Sequence, residues 1–194
     1  MNELLFLENY KNELINILKN TNQFNKDIVK AKKLFENCNK SKGKVIIVGN
    51  GGSAAISSHV SVDLSKNARI RSVNFNEPDL ITCLSNDFSY EDWIVAALKL
   101  YSDKKDILVL ISSSGNSENH IRAAKYANQK NIKLITFTGH SINNPLKKIN
   151  NKGLNFWVNS KSYNLVEITH LYLLLSIVDL LIGKKVYSAS KKII

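Results

Sequence analysis

The sequence predicts an α/β fold: a doubly wound, mostly parallel sheet with helices on both faces and an N-terminal helical extension. Three observations carry that expectation. Apolar runs of four to six residues alternate with longer helical stretches, the pattern of strands buried on both faces. Two of the runs, in "VIIVGNGGS" and "LVLISSSGNS", open into small-residue loops that lead straight into helical segments. Only two prolines and eight glycines punctuate 194 residues, too few for a linker-rich or disordered chain. One domain over residues 1–194 is expected, with 1–40 as N-terminal helices suited to oligomerisation and 44–194 as the α/β core.

Each element has its own justification. Leu14, Ile15 and Leu18, then Ile28, Ala31, Leu34 and Phe35, recur at helical spacing and are interrupted near "NTNQFN", which predicts two helices within residues 4–37. "KVIIVGN" reads as a buried strand and "GGSAAISSHVSVDLSK" as the helix after it. "IRSVNF" is a second strand, Asn76 to Pro78 a turn, "DLITCLSN" a short helix, "DFS" a loop and 90–101 a helix. "DILVLISSSGNS" repeats the strand-and-loop pattern ahead of the helix "SENHIRAAKYANQK". "IKLITFTG" is another strand, "NPLKKI" a short turn or helix and "NFWVNS" the last strand. A long apolar helix over about 164–182 closes the chain.

Composition narrows the partners. Hydrophobic content of 44% with 22% charged is ordinary for a globular chain. A formal charge of +11 attracts anions such as sugar phosphates, nucleic acid or an acidic partner. The lysines are spread from end to end with no basic run interleaved with aromatics, so nucleic acid is not the expected partner. Cys38 and Cys83 make neither a disulfide framework nor a metal-type spacing, and a reducing cytoplasm is expected. The opening "MNELLFLENYKNELI" sets acids on both sides of a very short apolar run, unlike a secretory signal. The stretch Leu171 to Gly183 contains Ser176 and Asp179 and is short for a bilayer span, so no membrane association is expected.

Ligands of such sheets sit at the carboxyl ends of strands, where helix N-termini converge. "GNGGS" (Gly49 to Ser53) offers bare backbone, an amide and a hydroxyl; "SSSGNS" (Ser112 to Ser117) offers four hydroxyls, a glycine and an asparagine. A phosphate there would accept hydrogen bonds from hydroxyls and free N–H groups, aided by the helix dipole. Neither loop is a Walker loop or the dinucleotide G-x-G-x-x-G. A tight turn would explain the glycines alone, and N-capping the serines alone. Both loops in one short α/β domain favour anion binding.

"VGNGGSAAISSHVSVDL", "CLSNDFSYEDW", "LISSSGNSENHIRAA" and "LITFTG" resemble the sugar isomerase (SIS) fold, and within it the phosphoheptose isomerases. The resemblance implies an aldose–ketose isomerase that interconverts sedoheptulose 7-phosphate and D-glycero-D-manno-heptose 7-phosphate through an enediol, for lipopolysaccharide or other surface-polysaccharide precursors. It implies that Ser112, Ser113, Ser114 and Ser117 hold the substrate phosphate. The sugar would lie against Asn50, Gly51, Gly52 and Ser53 and against the pair Asn86 and Asp87. A homotetramer is implied as well.

The family's histidine and glutamate on the helix after GNGGS match His59 and Asp63, the latter one methylene shorter than glutamate. On the last helix the family's glutamine and histidine fall on Val166 and Leu174, which can neither bind metal nor move a proton. His170 lies midway between them on the same helical stripe and is expected to face the same pocket. His59, Asp63 and His170 then form a candidate Zn2+ site with an open position. Without metal, Asp63 or His170 would be the catalytic base. Glu167 is placed to orient the His170 ring or to make a subunit contact. His120 and His140 are expected on the surface or in loops. Two alternatives stay open: a non-catalytic protein that binds sugar phosphate or regulates, and an isomerase for another sugar phosphate, such as an amino-sugar phosphate.

Overall fold

The computed structural model describes residues 2–186. Helix α1 (Glu3–Asn20) begins at Asn2, whose side-chain oxygen accepts the Leu5 N–H at 3.3 Å and satisfies one of the free donors of the first turn. A 3-10 turn, Thr21–Phe24, separates α1 from α2 (Asn25–Lys40), at the interruption read from the sequence. The α2 stripe of Ile28, Ala31, Phe35 and Cys38 packs into the core. In α1 only Ile17 is buried, while Leu4, Leu5, Phe6 and Leu7 are exposed. The extension therefore presents apolar surface that this chain does not cover.

Five strands, β1 (Val45–Gly49), β2 (Ser72–Asn74), β3 (Ile107–Ser112), β4 (Lys133–Thr138) and β5 (Leu154–Trp157), form one sheet in the order β2-β1-β3-β4-β5. Every pairing is parallel. Alternate side chains serve opposite faces, as the two-residue strand period requires. Val45, Ile47, Ile107, Val109 and Ile111 pack with residues of α2, α3 (Gly52–Lys66) and α8 (Tyr163–Ile182). Ile46, Val48, Leu108 and Leu110 pack on the other side with α4 (Pro78–Asp87), α5 (Trp93–Tyr101), α6 (Glu118–Lys130) and α7 (Pro145–Ile149). Burying each such side chain contributes about 1.5–3 kcal/mol, which is why unbroken Val/Ile/Leu runs specify these central strands.

Strand order reverses between β1 and β3, so the ligand crevice of this sheet type opens at their carboxyl ends. The loops that leave those two strands are the glycine and serine loops.

Some boundaries differ from expectation. Edge strand β2 is three residues long, and β5 stops at Trp157 rather than running through "NFWVNS". Helix α4 runs one residue further than "DLITCLSN", through Asp87, so Asp87 joins Asn86 in its last turn rather than opening the loop. Helix α8 has 20 residues and is long and apolar enough to cross a bilayer, more than the shorter run beginning at Leu171 suggests. Part of that apolar surface is core in this chain, namely Leu165, Val166, Leu173, Leu174, Ile177 and Val178, while Ile168, Tyr172 and Leu180 are exposed.

Candidate functional site

Gly49 of β1 stands opposite Ile111 of β3, so the two loops start side by side. In the serine loop, Gly115 adopts φ +67°, and a Cβ there would meet the Asn144 side chain. The Gly115 N–H returns to Ser112 O at 3.0 Å, and Asn116 N–H reaches Ser114 Oγ at 3.2 Å. Ser112 and Ser113 are buried, and Ser112 Oγ lies 3.4 Å from Ser117 Oγ. Ser117 precedes α6 but makes no side-chain capping bond, so N-capping does not explain the serines. The Ser113 hydroxyl is buried without a partner. An uncapped helix end, an unpartnered hydroxyl and two facing serines therefore meet at one loop, a donor set whose chemistry suits an anion.

The glycine loop is tied to that seat. Asn50 and Asn119, at the second position of α6, exchange two amide hydrogen bonds of 3.1 Å each. Tyr90 O–H adds a bond to Asn50 Oδ1 at 3.3 Å. Asn119 Oδ1 also lies 3.0 Å from His120 Nδ1. His120 is therefore a fully buried residue behind the loops, not the surface histidine expected from sequence, and burial lowers its pKa to about 4. Ser53 is buried in the first turn of α3, whose N-cap residue Gly51 has φ +56° and gives no side-chain cap. Asn86 and Asp87 are exposed and bond to each other at 3.1 Å. From that segment it is Tyr90 that reaches the glycine loop.

Helix α8 crosses both loops. A Cβ on Gly139, just after β4, would stand 2.8 Å from Val166 Cγ1 and 3.0 Å from Ser113 O. A Cβ on Gly52 would stand 2.7 Å from Glu167 Cδ. Successive α8 residues thus lie against the serine loop and the glycine loop. Burial raises the pKa of Glu167, and among the described residues no hydrogen bond or ion pair engages its carboxyl group.

The proposed trio does not assemble within this chain. His59 Nε2 and Asp63 Oδ2 are 3.2 Å apart on α3, with His59 half exposed, and Asp63 Oδ1 also accepts from Asn67 Nδ2 at 2.8 Å. His170 is elsewhere. Its ring is fully buried, Nε2–H donates to Thr138 O at 3.1 Å, Nδ1 has no partner, and the Phe137 ring lies edge-on at 5.7 Å. Burial holds its pKa at about 4, so it is neutral at ordinary pH. The stripe of Val166, His170 and Leu174 exists as the helical period requires, but it faces the core. The expectation that His170 opens on the pocket is corrected accordingly. So is the orienting role for Glu167: one residue, or 100°, round the helix from Val166, its carboxyl group lies at Gly52 and makes no bond to His170.

His59 and Asp63 supply two of the donors a zinc ion needs. Among the described residues no cluster of three or more His, Cys, Asp or Glu side chains completes such a site.

Sequence reasoning gave Glu167 a lesser role and passed over Asn119 and Tyr90. The signal for Glu167 was its isolation, as the one Asp, Glu, Lys or Arg between Leu165 and Val178. Asn119 has no comparable signal, because its partner comes from another strand–loop–helix unit.

Comparison with known proteins fits this geometry. The SIS domain family model matches residues 9–139. A phosphoheptose isomerase of Sodalis glossinidius is 35% identical over 140 residues, covering 66% of this chain and 72% of that protein. A phosphoheptose isomerase of Cytophaga hutchinsonii is 33% identical over 117 residues, 58% of this chain and 61% of that protein. The solved structure of a phosphoheptose isomerase from Francisella tularensis superimposes with a TM-score of 0.86 at 24% identity, covering 95% of this chain and all of the other, a likeness of fold.

Proposed function

The chain belongs to the SIS domain family, in its phosphoheptose-isomerase-like branch, and from that premise we propose that it is a sugar-phosphate aldose–ketose isomerase acting on a phosphoheptose. The observation that carries this reading is the meeting of the two loops at the β1/β3 crevice under the first turns of α8. Ser112, Ser113, Ser114 and Ser117 seat the phosphate at the open end of α6. The sugar lies over Asn50, Gly51, Gly52 and Ser53, where the Asn50–Asn119 pair holds the two loops at a fixed separation. Fixed separation matters because a misplaced reacting carbon loses much of the benefit of proximity.

The reaction needs a base for the carbon-bound proton and a donor for the oxygen that becomes anionic in the enediolate. Of the acid–base groups, the Glu167 carboxyl group lies on the glycine loop at Gly52, whereas His59 and Asp63 lie further along α3, roughly 10–16 Å along the axis from Gly52 at 1.5 Å rise per residue. A homotetramer is part of the proposal. The exposed Leu4, Leu5, Phe6 and Leu7 of α1 support self-association.

The test is deuterium exchange. In D2O, the purified protein should exchange the proton at the carbon next to the carbonyl of one member of a C5–C7 sugar-phosphate panel. Exchange with none of them refutes the isomerase. A second reading, a sugar-phosphate-binding or regulatory protein, draws on the apolar burial of Val166 and Leu174 and the sealing of His170. Saturable binding without exchange would select it.

A further inference from the structure

We infer that Glu167 is the catalytic base of the isomerisation, its carboxyl group moving the carbon-bound proton of a sugar seated between the two loops. This rests on the isomerase reading above and adds to it the residue that does the proton transfer.

Four observations bear on Glu167. Its carboxyl group lies against Gly52, where the glycine's missing side chain is what makes room for it. Its neighbour Val166 packs at Gly139, close to Ser113 O, so successive residues of α8 lie against the serine loop and the glycine loop. Among the described residues no donor satisfies it. A carboxylate recruited to cap α3 would accept that helix's first N–H groups; instead Ser53, Ala54 and Ala55 N–H return to Asn50 and Gly51 carbonyls. Partial burial favours its protonated form, which brings its pKa nearer to neutrality, as proton transfer to and from carbon requires. By contrast, Asp63 is already held by His59 and Asn67, well along α3, and His170 is sealed in the core.

The step balances without a cofactor. The Glu167 carboxylate takes the proton from the carbon next to the carbonyl. The C–H electron pair forms the C=C bond, and the carbonyl π pair moves to its oxygen, which is protonated from water to give the enediol. The other enediol hydroxyl then gives its proton to water and becomes the new carbonyl, as Glu167 returns its proton to the neighbouring carbon. Nothing is oxidised or reduced overall.

The experiment uses the full-length protein and the same sugar-phosphate panel in D2O, with inorganic phosphate as the binding probe and circular dichroism to check folding. Glu167→Gln should slow exchange at least 1000-fold while phosphate affinity stays within threefold. Glu167→Asp, which withdraws the carboxylate by about one methylene, should keep phosphate affinity and slow exchange 10- to 100-fold. It carries the test if the glutamine variant does not fold. Exchange in Glu167→Gln within tenfold of wild type, or wild-type rates in Glu167→Asp, overturns the inference and leaves the isomerase standing. Loss of phosphate binding in parallel with exchange in a folded variant also overturns it, by showing a merely structural role. A wild-type protein that exchanges no member of the panel removes the isomerase reading, and this inference with it.

Discussion

Acidification should unfold this protein through two histidines that the core keeps neutral. His120 and His170 are fully buried, and burial lowers the pKa of each to about 4 from an ordinary 6.5. Between those values the unfolded chain binds more protons than the folded one, so stability is complete above about 6.5 and is lost as pH falls toward 4. At pH 5 each ring removes about 2 kcal/mol, so the pair removes roughly 4 kcal/mol, a large share of the 5–15 kcal/mol typical of a domain. Glu167, whose pKa is raised, acts in the opposite sense just above the ordinary carboxylate range. Its contribution cancels when wild type is compared with a histidine variant. Urea unfolding at pH 7.5 and 5.0, followed by circular dichroism, should show the loss in wild type. His170→Gln should show about half of it, since only His120 then remains. In parallel, NMR titration should find two of the four imidazoles unprotonated down to about pH 5. A His170 ring that titrates near 6.5, or an undiminished acid response in His170→Gln, would refute the sealed-core placement and return that residue to the pocket.

Other substitutions separate stability from ligand binding. Ser113→Ala removes a buried hydroxyl that has no partner, so the urea midpoint should hold or rise, while calorimetry should show phosphate affinity falling several-fold. Gly52→Ala places a Cβ 2.7 Å from Glu167 Cδ. Because the carboxyl end can swing aside, the stability change should stay within about 1 kcal/mol, yet deuterium exchange should fall at least tenfold. An unchanged rate would show that the Glu167 position is irrelevant. Phe137 stacks on Phe156 at 4.6 Å and abuts His170. Phe137→Ala should cost about 3–5 kcal/mol in urea unfolding and let the His170 pKa rise in the NMR titration.

Much of this molecule was legible in one dimension. Buried parallel strands need apolar runs such as "VIIVG" and "ILVLIS", so periodicity alone placed β1 and β3 and the loops that follow them. The N-terminal helices, and the interruption between them, followed from the apolar spacing around "NTNQFN". The position of the glycine and serine loops, side by side at the carboxyl ends of β1 and β3, was legible too, since each follows an apolar strand directly. What sequence left open was rotation and partnership. The stripe through Val166, His170 and Leu174 was correctly seen as one face, but only the packing of α8 against Phe137 and Phe156 decided that it faces the core. That same rotation, 100° per residue, turned the neighbouring Glu167 onto Gly52. Likewise the Asn50–Asn119 pair joins residues 69 positions apart, and no local pattern announces such a bond. Local chemistry is set by neighbours in the chain and can be read from it; the direction a side chain takes is set by what packs against its helix, which exists only once the chain has folded.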